Sequence, residues 1–352
     1  MTGPRRVGIV EDPRYREHQG PPGHPERPER LAAVGEAIAA HSADLKRVSP
    51  RPASPEEILR VHASSHRAAL AQAAERAPVR LDPDTYLGPG SLPVAELAAG
   101  AAVELARKVC LGELDCGLAA IRPPGHHAES DRAMGFCLLN NAAIAVRALQ
   151  AEQQVDKILI YDWDVHHGNG TQHIFERDPS VLYLSTHQFP LYPGTGDFGE
   201  AGVGRGEGAT VNVPLPAGGG DAEYAAVAGR VLVPVARAHR PELIIVSCGF
   251  DAHRDDPLAT LQLSGEGFRN LASVVRALAD ELCGGRLVLL LEGGYALSGL
   301  REGTEAVLDV LLAPDCPTPR AGGPVVSGGP IEGILDRVAR VHGRTFFGLG
   351  SA

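Results

Sequence analysis

Short apolar runs at 7–10, 117–121, 158–161, 181–184, 210–213, 243–246 and 287–291 punctuate this chain, and most stop at a polar residue. Each has the length of a buried strand. Between them lie stretches rich in Ala, Leu, Glu and Arg with helical spacing, at 94–109, 142–150, 224–238 and 267–282. Strand alternating with helix makes βαβ units, and repeated βαβ units make a mainly parallel sheet flanked by helices. The fold class read from the pattern is therefore α/β. A length of 352 residues would divide into two domains on length alone, but α/β folds of this size often form one. The expectation is one domain over 1–312, with a Pro/Gly-rich loop and a last helix near 331–341 packed on it as an appendage over 313–352.

The residues just after each run matter more than the run itself. The run at 117–121 leads into Arg122-Pro123-Pro124-Gly125-His126-His127. That at 158–161 leads into Asp162-Trp163-Asp164-Val165-His166-His167-Gly168-Asn169-Gly170. The last two lead into Ser247-Cys248-Gly249-Phe250-Asp251 and Glu292-Gly293-Gly294-Tyr295. Parallel strands share a direction, so their carboxyl ends lie on one edge, and ligands bind in the crevice beyond it. Four reactive clusters distant in sequence thus converge in space.

In an extended chain alternate side chains share a face, so Asp164 and His166 would point the same way. A carboxylate and an imidazole together suit Zn²⁺, and a catalytic Zn²⁺ takes three protein ligands and keeps one position open. Asp251 is the third candidate, although an aspartate after Gly-Phe is commonly a turn former or helix cap. His126 and His127 follow a Pro-Pro-Gly turn that can aim both into one cavity. Histidine titrates near neutrality and can move protons there. Asp162 and Asn169 are the expected partners for their other ring nitrogens. A carboxylate partner favours the imidazolium and an amide leaves the ring closer to neutral, so His127, on Asn169, is expected to be the base. Gly293 and Gly294 allow a tight bend that can bring the Tyr295 phenol to an oxyanion. Only 5% of residues are aromatic, so Phe136 and Tyr192, both in Gly-rich loops, stand out as walls for an alkyl slot or as ordinary loop packing.

Composition removes several alternatives. A formal net charge of −10 counts against nucleic acid as the main partner. Six cysteines occur without a C-x-x-C pair, so a thiolate zinc site or redox motif is not expected. The first ten residues hold two arginines with no long apolar stretch after them, so neither a signal peptide nor a membrane partner is expected, and a reducing cytoplasm is the expected location. Oligomeric state has no signature.

Taken together the motifs resemble the histone deacetylase family of the arginase–deacetylase superfamily, in its class II and bacterial amidohydrolase-like branch. The carrying segments are His24-Pro25-Glu26-Arg27-Pro28-Glu29-Arg30, Arg122-Pro123-Pro124-Gly125-His126-His127-Ala128, Gly135-Phe136-Cys137-Leu138-Leu139-Asn140-Asn141, the stretches 162–170 and 247–252, and Glu292-Gly293-Gly294-Tyr295. They run in family order from residue 24 to residue 295. The resemblance implies a single-domain deacetylase fold with the active site at the end of a narrow tunnel. It implies Zn²⁺ on Asp164, His166 and Asp251, with Fe²⁺ as a replacement, and His127 as general base and acid. His126 is then the electrostatic partner, Asp162 and Asn169 orient the histidines, and Tyr295 polarises the acetyl carbonyl. Phe136 and Tyr192 match tunnel walls, with Gly135 and Gly293 beside the substrate path. Asp84 matches a rim carboxylate, Arg30 an inner arginine near the acetate exit, and Leu258 a gatekeeper. Structural K⁺ is implied at Asp162, Asp164, His166, Ser185 and Thr186, with a second site around Phe175, Asp178 and Val181.

The function implied is zinc-dependent hydrolysis of the acetamide of Nε-acetyl-lysine to lysine and acetate. The alternative is the same chemistry on an acetylpolyamine or another small acetyl-amide. Leu258 favours acetyl-lysine, because polyamine-specific members carry Glu at that position. A non-hydrolytic binder of acetyl-lysine would lack a ligand or the tyrosine, and this chain has both. A ureohydrolase needs two metals, of which Ala252-His253-Arg254-Asp255 is only a partial echo, so one catalytic metal is expected.

Overall fold

The apolar runs become strands of one sheet. The computed structural model describes residues 5–319, 330–343 and 345–346. Of the expected Pro/Gly-rich loop, residues 320–329 lie outside the described residues. In chain order the strands are β1 (Val7–Val10), β2 (Leu45–Arg47), β3 (Val79–Arg80), β4 (Tyr86–Leu87), β5 (Cys116–Ala119), β6 (Ile158–Asp162), β7 (Val181–Gln188), β8 (Thr210–Leu215), β9 (Leu243–Cys248) and β10 (Leu287–Leu291). The helices are α1 (Glu29–Ala40), α2 (Pro55–Leu59), α3 (Ser64–Ala74), α4 (Ser91–Cys110), α5 (Asn141–Ala151), α6 (Asn169–Phe175), α7 (Asp221–Val227), α8 (Val233–His239), α9 (Gly265–Leu282), α10 (Leu297–Leu312) and α11 (Pro330–His342).

Eight strands pair in the order β2-β1-β5-β10-β9-β6-β7-β8. Every neighbour in that sheet is parallel. The strands from β5 to β10 are buried along their whole length, which is why they read as unbroken apolar runs. Edge strand β2 exposes Lys46 and Arg47 and carries no such run, so the pattern passes over it. The β3–β4 ribbon, two residues a side, is equally silent. Register levels the strand ends: Asp162 pairs with Ser185 on β7 and Ser247 on β9, and Leu291 on β10 pairs with Cys248 on β9.

The helix read at 224–238 is three pieces, α7, a π turn at Ala228–Leu232 and α8. Pro234 has no N–H for the ladder and its ring crowds the carbonyl four residues back, within the π turn. Helices α1 and α10, which pack on each other, are absent from the sequence reading because Gly35, Gly299 and Gly303 interrupt their apolar spacing. Helix α11 lies on edge strand β8 and buries Ile331, Leu335 and Val338. Among the described residues, no helix is long and apolar enough to cross a membrane.

Candidate active site

Strand β6 ends at Asp162, and residues 164–166 are bent rather than extended. The strand alternation expected for Asp164 and His166 therefore does not hold. A turn brings them together instead: the His166 N–H donates to Asp164 Oδ1 (2.9 Å), the local bond of an aspartate two residues back. His166 Nδ1 then lies 3.1 Å from Asp164 Oδ1 and 3.1 Å from Asp251 Oδ2. Asp251 arrives from the loop after β9, its Oδ1 accepting from the Val165 N–H (2.9 Å). The Gly293 N–H donates to Asp164 Oδ2 (2.8 Å). Each carboxylate is thus aimed by a backbone donor. All three side chains are buried, and they are the metal-capable cluster of the described residues.

The donor set fits Zn²⁺. Donors in a tetrahedral array at about 2.1 Å from the ion sit roughly 3.4 Å from each other, near the 3.1 Å from His166 Nδ1 to each carboxylate, and all three donor atoms lie within 4.8 Å of one another. Burial, then the charge of Asp164, pushes Asp251 up to about 7. Against the cost of burial, Asp164 and Asp251 raise His166 to about 10. Both shifts have one sense: the buried carboxylates draw in positive charge, which a divalent cation supplies more compactly. Glycine is required around them. A Cβ on Gly293 would come within 2.1 Å of Asp251 Oδ2, and one on Gly249 within 2.2 Å of Asp164 Oδ2.

The loop after β5 turns at His126 and His127, whose rings lie 4.0 Å apart. His126 Nδ1 is 3.0 Å from Asp162 Oδ2, which also accepts from the Tyr183 hydroxyl (3.0 Å). His127 Nδ1 is 2.8 Å from Asn169 Oδ1. Burial would lower both imidazoles. For His126 the charges of Asp164 and Asp162 outweigh burial and hold it well above the usual histidine range. For His127 the positive neighbours His126 and His166 add to burial and hold it well below. The two neighbouring rings are thus driven in opposite directions.

From the loop after β10, Gly294 at φ +117° turns the chain so that Tyr295 reaches the pocket. Arg30 sits behind it, with its guanidinium carbon 5.1 Å from the ring centroid. Its Nε–H donates to Gly294 O (2.6 Å). Arg30 does not line the pocket; Asp84, His127, Gly135, Phe136, His166, Leu191, Tyr192, Leu258 and Tyr295 do, around about 220 Å³. Phe136 stands edge-on to Tyr295 (5.8 Å) and Tyr192 edge-on to His127 (5.1 Å). A wider groove of about 710 Å³ over α1, lined in part by Glu11, Arg16, Glu36 and Arg47, contains none of these residues. Ser185 and Thr186 lie beside Asp162 on β7. Phe175, Asp178 and Val181 lie at the far, amino-terminal end of β7, where Asp178 pairs with Arg147 (2.5 Å).

Two carboxylates escape the sequence reading. Glu292 accepts from the N–H groups of Gly125 (2.6 Å) and His126 (3.2 Å), tying the β10 loop to the histidine loop. Glu129 accepts from Asn169 Nδ2 (2.6 Å). The signal for Glu129 was its place two residues after His127; nothing in spacing announces its target.

Residues 24–311 match the histone deacetylase domain. A probable deacetylase of Archaeoglobus fulgidus is 43% identical over 297 residues, covering 83% of this chain and 82% of its own. Histone deacetylase 15 of Arabidopsis thaliana is 41% identical over 322 residues, covering 89% of this chain and 57% of its own, so this chain spans little more than half of that relative. A histone deacetylase-like amidohydrolase of Pseudomonas aeruginosa is 42% identical over 281 residues, covering 78% and 73%. The crystal structure of the HDA15 HD domain superposes with a TM-score of 0.89 at 38% identity, covering 98% of this chain and 96% of that one.

Proposed function

This chain belongs to the histone deacetylase family, a family of deacetylases and amidohydrolases, and from that premise we propose that it hydrolyses the acetamide of Nε-acetyl-lysine in a protein or peptide, releasing lysine and acetate. The observation that carries this reading is the three-donor cluster whose His166 lines a narrow pocket, with His127 lining the same pocket and His126 packed beside it.

Asp164, His166 and Asp251 would hold the Zn²⁺, or Fe²⁺ in its place. When bound, such an ion polarises a carbonyl and makes water more acidic. His127, neutral and buried, takes the proton of the attacking water and passes it to the departing lysine amine. The His126 cation, held by Asp162, steadies the negative charge that develops on the acetyl group. The Tyr295 phenol, kept protonated by burial, donates to the same oxyanion. Phe136 and Tyr192 clasp the four-carbon lysine stem and exclude water, and Leu258 stands at the mouth. Asp84, at the rim, accepts from the substrate backbone, and Arg30 holds the loop behind Tyr295 beside the acetate path. K⁺ is proposed around Asp162, Asp164, His166, Ser185 and Thr186, and a second around Phe175, Asp178 and Val181; both would appear as K⁺-dependent activity. Six free cysteines suit a reducing cytoplasm.

A fluorogenic acetyl-lysine peptide assay, run before and after chelation and after Zn²⁺ is restored, tests the reading. Loss and recovery of hydrolysis are expected; hydrolysis that survives chelation overturns it. Acetylputrescine run beside the peptide separates the substrate classes. A preference for it beyond tenfold replaces acetyl-lysine as the substrate.

A further inference from the structure

Glu129 does not line the pocket, yet three donors converge on its Oε1: Asn169 Nδ2 at 2.6 Å, His173 Nδ1 at 3.0 Å and Arg132 Nη2 at 3.2 Å. The hydrogen bond from His173, with that of Asn169 and the charge of Arg132 adding, holds this carboxyl down to about 2. An ionised carboxylate only accepts. Asn169 must therefore turn its NH₂ toward Glu129, which leaves its Oδ1 facing His127 Nδ1 at 2.8 Å. An amide oxygen also only accepts, so Nδ1 must carry the hydrogen. In a neutral imidazole the other nitrogen is then bare. From this sequence of donors and acceptors we infer that Glu129 is a positioning residue: it fixes the Asn169 amide, and through it keeps His127 in the tautomer whose Nε2 can accept a proton.

Without Glu129 the Asn169 Nδ2 keeps only weaker acceptors, Met134 Sδ at 3.3 Å and His127 O at 3.5 Å, so the amide is freer to turn over. Its NH₂ would then face Nδ1, the hydrogen would move to Nε2, and the base would have no lone pair for water. Glu129 is itself well anchored. Its carbonyl accepts from His62 Nδ1 (2.9 Å), and its N–H donates to Arg132 O (2.9 Å). The Asn140 N–H donates to His62 Nε2 (2.9 Å), so the His62 hydrogen sits on Nδ1, facing Glu129. The chain of contacts runs from the pocket floor to His173, whose side chain is 42% exposed.

The test uses the zinc-loaded full chain and four forms: wild type, Glu129→Gln, Asn169→Asp, and both together. Glu129→Gln is expected to lower kcat about tenfold, with KM within about twofold, well short of the roughly 10⁴-fold cost of a wholly wrong tautomer. Asn169→Asp sets two carboxylates against each other and also lowers kcat. The double variant swaps donor and acceptor, since the amide introduced by Glu129→Gln can donate to the new carboxylate, and is expected to recover about tenfold over Asn169→Asp. Independently of turnover, ¹⁵N-histidine spectra, assigned with a His127→Ala control, are expected to show Nδ1–H in wild type and a tautomer mixture in Glu129→Gln. An unchanged His127 tautomer in Glu129→Gln, or a double variant no better than Asn169→Asp, overturns the inference. The kinetic arm rests on the proposed deacetylation. If wild type turns over no acetyl-lysine peptide, that reading fails while the spectra still decide on Glu129.

Discussion

The roles proposed for Tyr295 and Leu258 separate cleanly at the scale of single residues. Tyr295→Phe keeps the ring against Phe136 and removes only the hydroxyl. Loss of one oxyanion donor costs about 2.7–4 kcal/mol, so kcat on an acetyl-lysine peptide is expected to fall roughly 10²–10³-fold with KM little changed. Leu258 lines the same pocket and is 36% exposed, so on the proposed reading it meets what lies beyond the acetyl group. Leu258→Glu places a carboxylate there and is expected to move the ratio of kcat/KM values toward acetylputrescine by about tenfold, read from parallel assays. Much of the candidate cluster's convergence was legible in the chain because its residues stand directly after apolar runs, where parallel strands must converge. What was not legible was the supporting carboxylate that serves a loop other than its own. Glu129 and Glu292 are ordinary acidic residues until Asn169 and Gly125 are brought to them. The Asp164–His166 geometry was also misassigned locally, because a two-residue spacing suits both an extended strand and a bend.

Among the elements, strands buried on both faces spoke clearly and helices with internal glycine did not. Helix α10 shows why. A Cβ on Gly303 would come within 2.3 Å of the Phe250 ring, so the glycine that weakens the helical pattern is what lets α10 approach the β9 loop. Helix propensity alone would reward Gly303→Ala by about 1 kcal/mol. Overpacking typically costs about 1–3 kcal/mol. With a ring this close the clash outweighs the gain, and Gly303→Ala is expected to lower the melting temperature by a few degrees in calorimetry. Because Phe250 precedes Asp251, metal affinity measured by chelator competition should weaken with it. The edge strand β2 and the β3–β4 ribbon were invisible for a simpler reason, being too short to show any period.

Taken as a whole the molecule carries histidines that are folded in neutral form, and that sets its response to acid. Burial, then the neighbouring His66, pushes His62 down to about 3. An unfolded chain protonates such a residue near 6.5. Between those values the unfolded state binds the extra proton, so stability present above about pH 6.5 is lost progressively as pH falls toward 3. One such group contributes at most about 1.4 kcal/mol per pH unit. His342, brought down to about 4 by burial, adds to the slope. Urea midpoints are expected to drop between pH 7.5 and 5, and to drop less in His62→Gln. The glycines that press against the reactive side chains have a further consequence for acyl-chain length. Gly135 meets the His127 ring and Gly293 meets Asp251, and neither can be made smaller. Neither position can yield room for a propionyl or butyryl group, so acetyl-lysine peptides are expected to be cleaved faster than their propionyl and butyryl counterparts in parallel assays.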